Sequence, residues 1–248
     1  MNDRRRITSN EHFMRKLLLT FLAIAACQAV LFAQLTIQDP NAQVREAKNF
    51  HGISVGSAFD VVLMQGNEEA VAVSASEAKY RDMIIVEVKD GILHIGLQKG
   101  KWNIGNRKLK AYISFKKLDR LNISGACQAR VEGGIRADEL KVNLSGASDL
   151  KAKLNVGKLS IDLSGASDMK VEGTVTDLSI DASGASKFKG FELATDFCNA
   201  SASGASDIKI TVNKELSVRA SGASDIDYKG TGVVRELKTS GASSVSKA

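Results

Sequence analysis

Aromatic side chains are scarce, at 5% of 248 residues with a single tryptophan, and proline occurs once, at Pro40. So few rings exclude a bulky aromatic core and leave little to stack on nucleic-acid bases. One proline excludes polyproline and collagen-like segments. Three cysteines, at 27, 127 and 198, are too few for a disulfide scaffold. Charge of one sign is also modest. The formal +6 falls to +3 (29 basic against 26 acidic side chains) once residues 1–33 are set aside. No basic cluster with interleaved aromatics remains, which argues against nucleic acid as a partner.

Only one long apolar run is present, from Leu17 to Ala33 behind Arg15 and Lys16. A positive flank, an apolar stretch and a small residue at its end predict a secretory signal over residues 1–33, with cleavage after Ala33 and a start at Met14 as a further option. The run is short for a membrane span. Ile24-Ala25-Ala26-Cys27 also resembles a lipoprotein processing site, so lipidation at Cys27 is the alternative, and it is the only route predicted here to a membrane. Residues 34–48 read as a polar linker.

What is abundant is glycine, 21 residues, and it is placed periodically. Ser-Gly-Ala begins at Ser124, Ser145, Ser164, Ser183, Ser203, Ser221 and Ser240, at spacings of 18 to 21 residues. Before each Ser, apolar and polar residues alternate, as in Ile161-Asp162-Leu163 and Ile180-Asp181-Ala182. After each corner the alternation resumes, with Leu150, Met169, Phe188, Ile208, Ile226 and Val245 five residues past their Ser. Period two marks strands with one buried face. One copy cannot bury that face alone, whereas stacked copies can. The fold expected over residues 118–248 is therefore all-β, a right-handed parallel β-helix or solenoid with coils of about 19 residues. Glycine suits the corners because it permits positive φ or close approach of the next coil. The alanine after it is expected to point inward. Cys127 and Cys198 fall three to four coils apart, too far for a disulfide. Cys198 replaces the leucine of Leu140, Leu159, Leu178 and Leu216.

Residues 49–117 read as a β-rich segment that caps the solenoid, without a 19-residue period. Asp90-Gly91 between two apolar runs predicts a hairpin, and residues 77–81 a helical turn. Lys99 to Lys108 form a basic loop around Trp102.

Phe59-Asp60-Val61-Val62-Leu63-Met64-Gln65-Gly66, Val86-Glu87-Val88-Lys89-Asp90-Gly91-Ile92-Leu93-His94-Ile95 and the serial Ser-Gly-Ala-Ser-Asp repeats together resemble the putative autotransporter adhesin head domain called GIN. The resemblance covers roughly residues 50–247. It implies an exported all-β protein, an adhesin head without assigned catalytic residues.

Candidate chemistry is thin. Asp149, Asp168, Asp207 and Asp225 each stand four residues after their Ser, and stacking brings two pairs together. They are the candidate metal ligands, for calcium, since like charges in register repel. The preferred reading is solvated turn residues, so no metal and no cofactor is predicted. The serines lack a nucleophile elbow, and His51 and His94 with the cysteines form no zinc spacing. Trp102 is a candidate glycan contact. The function expected is a non-catalytic envelope binding module presenting a solenoid face to a surface glycan or protein. A structural scaffold and a carbohydrate-active β-helix enzyme are the alternatives. The solenoid ends are expected to allow homo-oligomers.

Overall fold

Serial copies of the Ser-Gly-Ala unit stack as the two-residue alternation requires. The computed structural model describes residues 38–98 and 108–248. The predicted signal, Cys27, the first four residues of the linker and Trp102 lie outside them. The strands are β1 (Gln43–Arg45), β2 (Gly52–Val55), β3 (Phe59–Gln65), β4 (Ala70–Ser74), β5 (Ile84–Lys89), β6 (Ile92–Leu97), β7 (Leu109–Phe115), β8 (Arg120–Ile123), β9 (Gln128–Glu132) and β10 (Ile135–Leu144). They continue as β11 (Asp149–Leu163), β12 (Asp168–Ala182), β13 (Lys187–Ala202), β14 (Asp207–Ala220), β15 (Asp225–Lys229), β16 (Val233–Thr239) and β17 (Ser244–Lys247). One helical turn, α1 (Ala78–Arg81), falls where the sequence places it.

From β8 onward, successive coils pair in parallel, giving a β-solenoid. Within one coil, Leu150, Ala152, Leu154 and Val156 are buried, the Gly157-Lys158 pair is exposed, and Leu159, Ile161 and Leu163 are buried again. That pair shifts the alternation by one residue, so the chain bends there and keeps its apolar residues inward. Equivalent residues form rows along the stack. Leu140, Leu159, Leu178, Cys198 and Leu216 are register partners in turn, so Cys198 fills a leucine position as expected.

At the opposite bend, all seven Ser-Gly-Ala glycines have φ between 73° and 87°. At Gly165 (φ 74°) a Cβ would sit 2.4 Å from the carbonyl oxygen of Gly146 below. Positive φ and close approach therefore both demand glycine there. The N–H of Ala166 bonds that same oxygen at 2.7 Å. The following alanine, however, does not point inward. Ala147, Ala166, Ala185, Ala205 and Ala223 are exposed, and the next residue turns in instead. Ser148, Ser167, Ser186, Ser206 and Ser224 are buried, and Cys127 holds their place in the first copy. Each hydroxyl is satisfied locally, as where Ser186 donates to the carbonyl of Ser183 at 2.9 Å. A buried hydroxyl is tolerated only with such a partner.

The parallel stack also reaches upstream of the first repeat. β2 pairs with both β8 and β6, and β3 with both β9 and β7, all in parallel. In space the coils run β6–β7, then β2–β3, then β8–β9, although the chain visits β2–β3 first. Ser57, at φ 86°, replaces the corner glycine and accepts the N–H of Ala126 at 2.7 Å. The antiparallel strands lie at this end: β4 against β7 and β1, and β5 against β6. The β5–β6 hairpin turns at Asp90 (φ 51°) and Gly91 (φ 72°), the conformation that the Asp-Gly pair favours.

Candidate functional site

The four aspartates do share a row, and Asp149 stands against Asp168 and Asp207 against Asp225. Lys187 separates the two pairs. Asp168 forms an ion pair with Lys189, and Asp225 accepts the hydroxyl of Ser244. One oxygen of Asp207 is buried without a partner. Among the described residues, no group of three or more His, Cys, Asp or Glu side chains is arranged to hold a metal ion.

Five of the seven repeat serines, Ser124, Ser164, Ser183, Ser203 and Ser221, are likewise occupied with the backbone. Ser183 donates to the carbonyl of Leu163 at 3.3 Å, and the serines three positions on bond within their own corner. His51 pairs through Nδ1 with Asp119 at 2.8 Å, in an open hollow also lined by Lys117, Arg136 and Glu139. His94 lies on β6, opposite Glu87 in the hairpin. The two histidines and two cysteines do not converge on a common centre. Both thiols are buried, and burial pushes Cys198 up to about 12 and also raises Cys127.

The feature that the sequence reading passed over lies two residues beyond the aspartate row. Arg130, Lys151, Lys170, Lys189 and Lys209 are register partners in succession, so five basic side chains stand in one file. Its signal was present: each is six residues past its Ser. The file runs along a groove of about 800 Å³. Six basic and two acidic side chains line it, Lys153 being the sixth cation and Glu172 and Glu192 the anions. Its floor is apolar, with Ala152 and Val171. One wall is formed where β13 carries extra residues and the register slips between Gly190 and Ala194. A bulge of this kind lifts a side chain from the ladder, here half-buried Phe191. Lys229 lies 4.2 Å from the Phe191 ring centre and Lys209 lies 6.0 Å from it, within cation–π range.

The groove's cations differ in their freedom. Arg130 is shared between Asp60 at 3.2 Å and Glu132 at 3.4 Å. Lys189 is held by Asp168, and Lys209 stands 3.8 Å from Asp227. Lys151 and Lys170 are exposed and have no ion-pair partner among the described residues. The arrangement can attract and hold an extended anion by charge alone. It offers no enclosed pocket for a small molecule.

Comparison with known proteins gives a consistent picture. The family model described as "Putative auto-transporter adhesin, head GIN domain" matches residues 49–232. Among solved structures, one named a putative adhesin, from Bacteroides fragilis, superposes with a TM-score of 0.79 at 22% identity, covering 84% of this chain and 96% of that one. A second putative adhesin, from Parabacteroides merdae, gives 0.69 at 19% identity over 84% and 95%. A protein named a putative lipid binding protein, from Parabacteroides distasonis, gives 0.60 at 19% identity over 85% and 98%. At these identities the likeness establishes the fold. No curated protein matches the chain.

Proposed function

The chain belongs to the family described as "Putative auto-transporter adhesin, head GIN domain", and from that premise we propose that it is an exported, non-catalytic binding module of the cell envelope that engages its partner through the basic groove. The observation that carries the reading is the uninterrupted file of five basic side chains, four of them exposed, along a solenoid with short corners. Rows repeated coil after coil present a regular, shallow surface, which suits recognition of an extended partner better than the closed cleft that catalysis needs. The family name and the names of the fold relatives, all but one of those above putative adhesins, point the same way. Export agrees with the apolar run from Leu17 to Ala33 behind Arg15 and Lys16.

Protease shaving of intact cells, read with an antibody against the repeats, tests the location. Loss of signal from intact cells is expected. Survival there, with degradation after lysis, contradicts surface display.

A further inference from the structure

We propose that the file from Arg130 through Lys151, Lys170 and Lys189 to Lys209 binds a linear anionic polysaccharide lying along the stack, one coil per charge. The inference rests on the binding-module reading and names its ligand class.

The first support is the file itself. Like charges directly opposed on neighbouring strands destabilise a sheet, and the spacing here is about 4.8 Å. Other exposed rows break such runs. Glu139, Lys158 and Asp177 alternate in sign, with Lys158 and Glu139 at 3.3 Å. Lys153 faces Glu172 across the next strand. Elsewhere in the paired strands of the described residues, no row holds more than two like charges in succession. Five in succession is a stability cost that folding alone does not explain. A ligand carrying regular negative charge offsets it, and cations closer together than the Debye length of about 8 Å at physiological salt act on that ligand jointly.

The second support is the freedom of Lys151 and Lys170, which among the described residues have no counter-ion at the centre of the groove. The aspartate row neutralises the file only toward its far end, through the Lys189–Asp168 pair. Phe191 adds Lys229 at that end.

The third support is what the surroundings exclude. Single-stranded nucleic acid wants an aromatic platform for successive bases, and the groove holds one ring, already shared by two ammonium groups. A membrane surface wants apolar side chains to insert. The exposed large ones, Val44, Ile85, Phe197, Val233 and Leu237, all lie outside the groove. An extended acidic peptide would need a free strand edge for its amides, whereas the groove floor is the face of strands paired on both sides. A charged polysaccharide needs none of these.

The test uses the full chain, immobilised and titrated by biolayer interferometry with dextran sulfate, uncharged dextran and a single-stranded oligonucleotide at low and high salt. Dextran sulfate is expected to bind, more weakly as salt rises, and uncharged dextran is not. Lys151→Glu with Lys170→Glu is expected to weaken binding by about tenfold or more, since two adjacent attractions become repulsions. Lys89→Glu with Lys247→Glu changes the net charge equally, away from the groove, and is expected to stay within about twofold. Urea unfolding checks that each variant folds, and Lys170→Gln, which only removes a charge, is expected to show an intermediate loss. Equal losses in both double variants overturn the proposal, as does tighter binding of the oligonucleotide. No dextran sulfate binding by a chain whose repeats are shaved from intact cells overturns the ligand class and leaves the surface-displayed module standing. Failure of both removes both.

Discussion

The coils after the first Ser-Gly-Ala and the coils before it share one stack but are specified differently. Downstream, each coil follows the last in the chain, and its neighbours are made by the same local pattern. Upstream, β2–β3 is threaded between β6–β7 and β8–β9, which come later in sequence. There the corner is Gly56-Ser57-Ala58 instead of Ser-Gly-Ala, yet Ser57 takes the same left-handed conformation and accepts the same bond. Stack geometry therefore survives without the repeat, because what it requires is inward apolar residues and one corner oxygen per coil. Particular polar contacts take over where the repeats stop. Asp39 accepts the Tyr112 hydroxyl at 2.9 Å, with Lys110 at 3.4 Å, and so fastens the segment before β1 to β7.

The largest way to break the downstream pattern is at a corner. Gly165→Val forces a branched side chain into positive φ and onto the Gly146 oxygen. A loss of about 3 kcal/mol or more is expected in urea unfolding. Gly133→Ala is the matched control, since Gly133 also has positive φ (77°) but nothing within 4 Å of a Cβ, and it should cost about 1 kcal/mol. Equal losses at the two sites would mean that the stacked oxygen is irrelevant.

The buried serine row comes next. Ser186→Ala removes a hydroxyl bonded to Ser183 and should cost about 1 kcal/mol. Ser186→Cys should cost less, because Cys127 already fills that position, with its sulfur 3.3 Å from the Ser124 carbonyl.

The upstream corner offers a change of opposite sign. Ser57→Gly is expected to stabilise the chain by about 1 kcal/mol by relieving a non-glycine residue at φ 86°. Destabilisation instead would mean that the Ser57 side chain holds the upstream coils.

The last contrast is confined to high pH. Burial first, and the Asp39 hydrogen bond second, push Tyr112 up to about 12. An unfolded tyrosine ionises near pH 10, so the folded chain retains a proton that the unfolded chain releases. Stability from this group is complete below about pH 10 and is lost as pH rises toward 12. Ultraviolet titration should show a tyrosine ionising near pH 12 that disappears in Tyr112→Phe.

These contrasts also say what a sequence can reveal. The solenoid is readable from residue 118 onward because consecutive coils are consecutive in the chain, so stacking in space becomes a period in sequence. The leucine row with Cys198 and the Asp90-Gly91 turn are readable for the same local reason. The β2–β3 coil is not, since its partners are supplied by segments far along the chain and no period records them. The corner orientation is misleading as well. Alanine is apolar and serine polar, yet geometry points Ala166 out and Ser167 in, because the carbonyl of Ser164 is there to accept the hydroxyl at 2.8 Å. The candidate site was half visible. The basic file has a fixed offset from each Ser, but the neighbouring aspartates carry the more familiar chemistry and draw the eye. The groove's wall was hidden, since the slip in β13 that lifts Phe191 is a matter of one coil being longer than its neighbours.

Lysine footprinting tests the binding face most directly. The full chain is acetylated with and without dextran sulfate, and each lysine is quantified by mass spectrometry. Protection concentrated on Lys151, Lys170, Lys189 and Lys209, with Lys89 and Lys247 modified at their free rates, is the expected result. Bound chain in which Lys151 and Lys170 react as fast as in the free protein would place the binding face elsewhere.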